Sequence, residues 1–205
     1  MPHDPQKDAA RAVFCRLLAA CYYEPGPEFA EEKVFDAMQE AAQRIDAELA
    51  AGAARLNEAS RAEALDALLL DYTRLFLGPN DILAQPYGSL WLSGEKTLMQ
   101  DSTMAVQRLY GEGGFALDEN FRELPDHIAA ELEFLYLLIH REAQARQADN
   151  ADALRSVTDL KKRFLDAHLS AWIGPFTAAM QSGARSGFYR ALAGLTKRFV
   201  RLEAD

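Results

Sequence analysis

The chain has 205 residues, 49% of them hydrophobic, and a formal net charge of −9 from 22 basic and 31 acidic side chains. That length and apolar content suit a globular protein with a real core and exclude a disordered chain. The acid surplus opposes binding to nucleic acid, which needs cations to neutralise phosphates, and it disfavours anionic membrane surfaces. What it leaves open is plain solubility or a cationic partner.

The N-terminus, Met1-Pro-His-Asp-Pro5, has neither a basic start nor an apolar run, so no signal peptide is expected. Ala10, Val13, Phe14, Leu17, Leu18 and Cys21 then recur at helical spacing, and Glu24-Pro-Gly-Pro27 ends the pattern. Cys15 and Cys21 on one helix stand about 9 Å apart along its axis. A disulfide tolerates no more than ~7 Å between Cα atoms. Two buried free thiols are expected, which suits a reducing compartment. Phe29, Phe35, Met38, Ala42, Ile45 and Leu49 form a second, weaker stripe. Ser60 and Glu63 read as a capping box for a third helix, with Leu65, Leu68, Leu69, Tyr72, Leu75 and Phe76 inward and Gly78-Pro79 as its stop.

Residues 78–93 read as a loop carrying Tyr87 and Trp91, followed by a helical region from about Glu95 to Tyr110. Gly111-Glu-Gly-Gly114 breaks the pattern. A long helix is expected from Glu123 to about Arg146, with Pro125 in its first turn and Asp126 and His127 at its mouth. Leu154 to Trp172 forms one more stripe, with a bend at Gly174-Pro175, and Phe188, Leu192, Leu195 and Phe199 mark a last helix. No segment alternates with period two over strand length. The fold class is therefore all-α, a helical bundle of about seven to ten helices. Apolar runs fall far short of the ~20 residues a membrane span needs. One division suggests itself: an N-terminal helical lobe over 1–122 and a C-terminal one over 123–205. A single globular domain with a hinge near 111–125 fits equally well.

His127 and Glu131 share a helix face and could serve as metal ligands. A helix-bundle di-iron centre, however, needs two Glu-x-x-His motifs and further glutamates, which this chain lacks. Asp126 and His127 are adjacent and point about 100° apart on a helix, poor geometry for a catalytic relay. No nucleophile elbow is present, and the cysteines have no local base. These residues give a hydrolase no support, without excluding one. Peptide binding explains more: Tyr72, Phe76, Tyr87 and Trp91 gather around one Gly/Pro loop, and Glu123, Asp126 and Glu131 could receive a positive charge. The competing reading makes Tyr72 and Phe76 ordinary core residues.

Three motifs carry a resemblance. Asp71-Tyr72-Thr-Arg-Leu75-Phe76-Leu-Gly78-Pro79, then Pro86-Tyr87-Gly-Ser89-Leu-Trp91, then Glu123-x-Pro125-Asp126-His127-x-x-x-Glu131-Leu, resemble the TorD-like redox-enzyme maturation chaperones, the family that includes TorD and DmsD. The likeness spans roughly residues 10–200 and takes in Phe164 to Trp172 and Phe188 to Leu195. It implies an all-helical, cytoplasmic, system-specific chaperone with no catalysis of its own. Such a protein binds the twin-arginine signal peptide of a molybdopterin-containing oxidoreductase precursor. It holds the apo-form of the catalytic subunit for cofactor insertion before export. The resemblance places Tyr72, Leu75, Phe76, Asp126 and His127 in the signal-peptide site, with Pro86, Tyr87 and Trp91 bordering it. Tyr87 stands where relatives often carry tryptophan. It implies no intrinsic cofactor; weak guanine nucleotide binding, transient molybdopterin contact and domain-swapped dimers as well as monomers fall within its range. Two other classes remain beside it: a helix-bundle metalloprotein using His127 and Glu131, and a helical adaptor for another protein client.

Overall fold

The structure is a computed structural model that describes residues 4–27, 33–78, 82–92, 101–119 and 121–205. Ten α-helices and one π-helical turn account for the described residues' regular structure. They are α1 (Pro5–Ala20), α2 (Val34–Ile45), α3 (Ala47–Ala62), α4 (Leu65–Tyr72), the π turn (Thr73–Leu77), α5 (Ser89–Leu92), α6 (Asp101–Glu112), α7 (Ile128–Gln147), α8 (Ala151–Ala167), α9 (Leu169–Gly183) and α10 (Gly187–Ala204). No strand occurs among the described residues; the one extended pairing there is an isolated antiparallel bridge between Tyr87 and His127.

Local chemistry explains most boundaries. Asp4 caps α1 by accepting from the Gln6 and Lys7 N–H groups, and Pro5 occupies the first turn, where no donor is needed. Asp46 ends α2 with its backbone N–H on Ala42 O and starts α3 with its carboxylate on Leu49 N–H. The stripe expected to run unbroken from Phe35 to Leu49 is thus two helices sharing one cap. Phe29 lies outside the described residues. Ser60 does not cap a helix: it sits inside α3 and donates to Asn57 O. Glu63 instead accepts from Gly187 and Phe188 N–H at the start of α10. The stripe from Leu154 to Trp172 breaks at His168, whose backbone (φ −128°, ψ −103°) leaves the helical region. Pro175 lies inside α9. Described helix resumes at Asp101 and runs through Gly111 to Glu112, while 95–100 lie outside the described residues. Gly78, at φ 41°, follows the π turn; Pro79 lies outside the described residues.

Packing interleaves the two halves of the chain. α1 lies between α2 and α7, and α10 lies between α3 and α9, so elements from both sides of residue 122 share one continuous core. The 1–122 and 123–205 segments do not form separate cores. Gly52 on α3 lets α10 come close: a Cβ there would stand 2.8 Å from Leu195 Cδ1. Both cysteines are free and buried.

One end of the bundle is tied by charge. Arg11 grips Glu203 through Nε (2.8 Å) and Nη2 (2.5 Å) and reaches Asp8 and Glu142. Lys161 binds Glu142 (3.0 Å) and Glu203 (3.4 Å), and Arg146 binds Asp8. Burial works against the Arg11 charge, but Glu203, Glu142 and Asp8 together more than offset it and hold its pKa above the ordinary value.

Candidate functional site

The long helix begins at Ile128, five residues later than its sequence pattern suggests. Residues 123–127 form instead a turn that docks onto the loop before α5. Ile128 N–H donates to Pro86 O, and Gly88 N–H donates to Asp126 O, both at 2.8 Å. Tyr110 adds its hydroxyl to Pro125 O at 2.7 Å. These bonds clamp the Pro86–Trp91 and Asp126–His127 motifs together. The turn's backbone groups find partners in the α5 loop, which supplies both a donor and an acceptor.

His127 is the N-cap of α7, and its Nδ1 accepts from Ala129 N–H at 3.2 Å. The neutral ring therefore carries its proton on Nε2. Burial pulls the imidazole down to a pKa of about 4, against the raising fields of Glu123 and Asp126. Tyr87 packs edge-on against it (5.4 Å between ring centroids), and Phe121 lies 6.2 Å away. Asp126 is buried, and its Oδ2 accepts from Ser89 N–H at 2.8 Å, capping α5. Trp91 is half-buried, donates its indole N–H to Gln85 O at 2.8 Å and packs edge-on to Phe176.

Beneath the clamp lies Glu131, fully buried, whose Oε2 accepts from the Trp172 indole at 3.1 Å. Burial raises its pKa well above the carboxylate range, with the Asp126 field adding to the rise and the Trp172 hydrogen bond opposing it. Gly88 fits over this pair. A Cβ there would stand 2.8 Å from Trp172 Nε1 and 3.1 Å from Glu131 Oε1. Position 88 therefore accepts glycine alone without displacing the pair.

The candidate residues divide into rim, clamp and core. Glu123 is exposed and accepts from the Tyr87 hydroxyl. Tyr23 on the neighbouring α1 side donates to Glu133 at 2.6 Å and packs edge-on to Phe121. Burial and the adjacent carboxylates raise both tyrosine pKa values. Pro86 is buried within the clamp beside Asp126 and His127. Leu75, Phe76 and Tyr72 belong to the core, at 0%, 3% and 8% exposure. Phe76 packs among Tyr22, Tyr72, Phe176 and Tyr189. The reading that makes Tyr72 and Phe76 wall residues of an open groove gives way to the core reading. The π turn that carries Leu75 and Phe76 inward turns Leu77 outward, and Leu70 and Leu83 are exposed too. Glu131 likewise cannot meet a surface cation, since Trp172 and Gly88 cover it.

Sequence reasoning missed Gly88, Ser89, Tyr23, Phe121 and Glu133. Gly88 and Ser89 lie inside a motif already singled out, so their place in it was a usable signal. Tyr23 and Glu133 are 110 residues apart and carry no local signature. The metal reading finds no support in the geometry: His127 Nδ1 is used as a cap and Glu131 is held by Trp172. Among the described residues no group of three or more His, Cys, Asp or Glu side chains could hold a metal ion. No described helix is long and apolar enough to cross a membrane.

The family model described as nitrate reductase delta subunit matches residues 42–178. The chain is 29% identical over 138 residues to the chaperone protein TorD of Vibrio parahaemolyticus, a match covering 67% of this chain and 62% of that protein. It is 29% identical over 191 residues to the Tat proofreading chaperone DmsD of Salmonella typhi, covering 91% of this chain and 85% of the relative. The chain thus spans about three fifths of the length of the first relative and most of the second. In fold it resembles the crystal structure of an Archaeoglobus fulgidus protein assigned to the redox enzyme maturation proteins, with a TM-score of 0.57 at 19% identity over 93% of both chains. The family model spans more than half of the sequence, and the chain belongs to the nitrate reductase delta subunit family, alongside the TorD and DmsD chaperones.

Proposed function

We propose that this protein is a cytoplasmic chaperone for a molybdopterin-containing oxidoreductase. It binds the twin-arginine signal peptide of the precursor and holds the apo-form until the cofactor is inserted and export begins. The observation that carries this reading is the clamp: two distant motifs meet at one bonded point, beside a rim of tyrosines and carboxylates. Glu123 and Glu133, each already accepting from a tyrosine hydroxyl, present the negative charge a guanidinium needs, and the Tyr23, Tyr87 and Phe121 rings offer π faces. Exposed Leu77 and Leu83 offer apolar contact for the stretch that follows the arginines. Apolar burial at ~25 cal/mol per Å² would set most of the affinity, and the charges would set direction and register. Kinship with TorD and with a Tat proofreading chaperone supports the same reading.

Calorimetric titration with a synthetic peptide carrying two consecutive arginines and an apolar stretch tests it. We expect saturable binding that weakens at least tenfold when both arginines become glutamine. No binding of the parent peptide would end the reading.

A further inference from the structure

We propose that Asp126 is a positioning residue: its buried carboxylate caps α5 and so fixes Trp91 in the peptide site, and it does not itself receive the peptide's cation. The affinity arm of this proposal rests on the peptide-binding reading above; the structural arm does not.

Asp126 is 1% exposed, so an arginine arriving from solvent meets Glu123 first. Its Oδ2 is occupied by the Ser89 N–H at 2.8 Å, and its backbone carbonyl by the Gly88 N–H at 2.8 Å. One residue therefore holds two successive donors of the segment that leads into α5. An anionic oxygen at that position satisfies an N–H that a helix start leaves without an internal partner. Two residues further on stands Trp91, its indole closing back on Gln85 O and its ring set against Phe176. If the cap goes, the backbone bonds at Gly88 and Pro86 remain but Ser89 N–H loses its acceptor at the start of α5, and the short helix that carries Trp91 shifts. Asp126 Oδ1 has no hydrogen-bond partner among the described residues, so no second bond there compensates for the loss of Oδ2.

The protein has two tryptophans, so an indole N–H spectrum of the full chain holds two signals, and Trp91→Phe assigns them. Three variants decide the matter. Asp126→Ala removes the acceptor. Ser89→Pro removes the donor at the first position of the turn, where proline fits a helix start. Asp126→Asn keeps a capping oxygen. We expect the Trp91 signal to move in both Asp126→Ala and Ser89→Pro, and to stay near its place in Asp126→Asn. Affinity for the twin-arginine peptide should fall by a similar factor, about fivefold, in the first two and return in the third. An unmoved Trp91 signal in folded Asp126→Ala would overturn the proposal. So would a Ser89→Pro protein that binds normally while both Asp126 variants lose affinity, since that pattern marks direct contact with the cation. Should the parent protein bind no peptide, the function reading fails and the indole signals alone decide the role of Asp126.

Discussion

His127 shows what burial does to a single ionisable side chain at this site. The ring is 4% exposed, and its pKa stands at about 4, whereas in an unfolded chain it takes its proton near ~6.5. The folded state then binds fewer protons than the unfolded state between these values, so stability falls as pH falls. The contribution is complete above about 6.5 and is lost on the way down through about 4, a swing on the order of 3 kcal/mol. Urea unfolding from about pH 7 to about pH 4 should show a steeper loss for the parent than for His127→Gln, and parallel curves would contradict it. Glu131 runs with the opposite sign, because its raised pKa favours the folded state most at low pH and less as pH rises. Residues like these two were legible only in part. The adjacent Asp126-His127 pair announced a helix mouth, but nothing near position 131 in the chain reveals that Trp172 and Gly88 seal it from above.

At the scale of elements, periodicity located helices well and their ends poorly. A stripe continues unbroken across Asp46 because one residue serves as the stop of α2 and the start of α3, leaving no polar gap in the pattern. The same holds at His168, where α8 and α9 both turn apolar faces inward. The start of α7 was misplaced for a different reason: its N-terminal partners come from the α5 loop, some forty residues earlier in the chain. The charged knot joining α1, α7, α8 and α10 was invisible for the same cause, and its energetics are testable. Removing one partner of a buried ionic cluster leaves its opposites uncompensated. Glu203→Ala takes away Arg11's shortest ion pair and one of Lys161's two carboxylates, leaving three cations to Asp8 and Glu142, and should cost about 3 kcal/mol in chemical unfolding. By comparison, Asp166→Ala breaks only the exposed pair with Lys162 and should cost no more than about 0.5 kcal/mol. Equal effects would show that the buried cluster is not sealed from water.

For the whole molecule, the all-helical class followed from the absence of alternating segments, and the described helices bear it out. The arrangement in space did not follow, since local patterns do not say that α1 packs on α7 or that α10 fits between α3 and α9. That interleaving predicts a single cooperative transition for the full chain. A fragment ending at residue 122 would lack α7 against α1 and α10 against α3. It should show no cooperative melting by circular dichroism, whereas a sharp melt would restore the two-lobe picture. The charged knot has one more consequence. Asp8, Glu142 and Glu203 balance Arg11, Arg146 and Lys161, so those six groups contribute no net field beyond their neighbourhood. The surplus of nine negative charges is worn by the remaining groups. A cationic visitor is therefore drawn inward before it touches anything, over a reach that salt trims to about 10 Å at 0.1 M. Capture speed thus becomes a property of the buffer as much as of the binding surface.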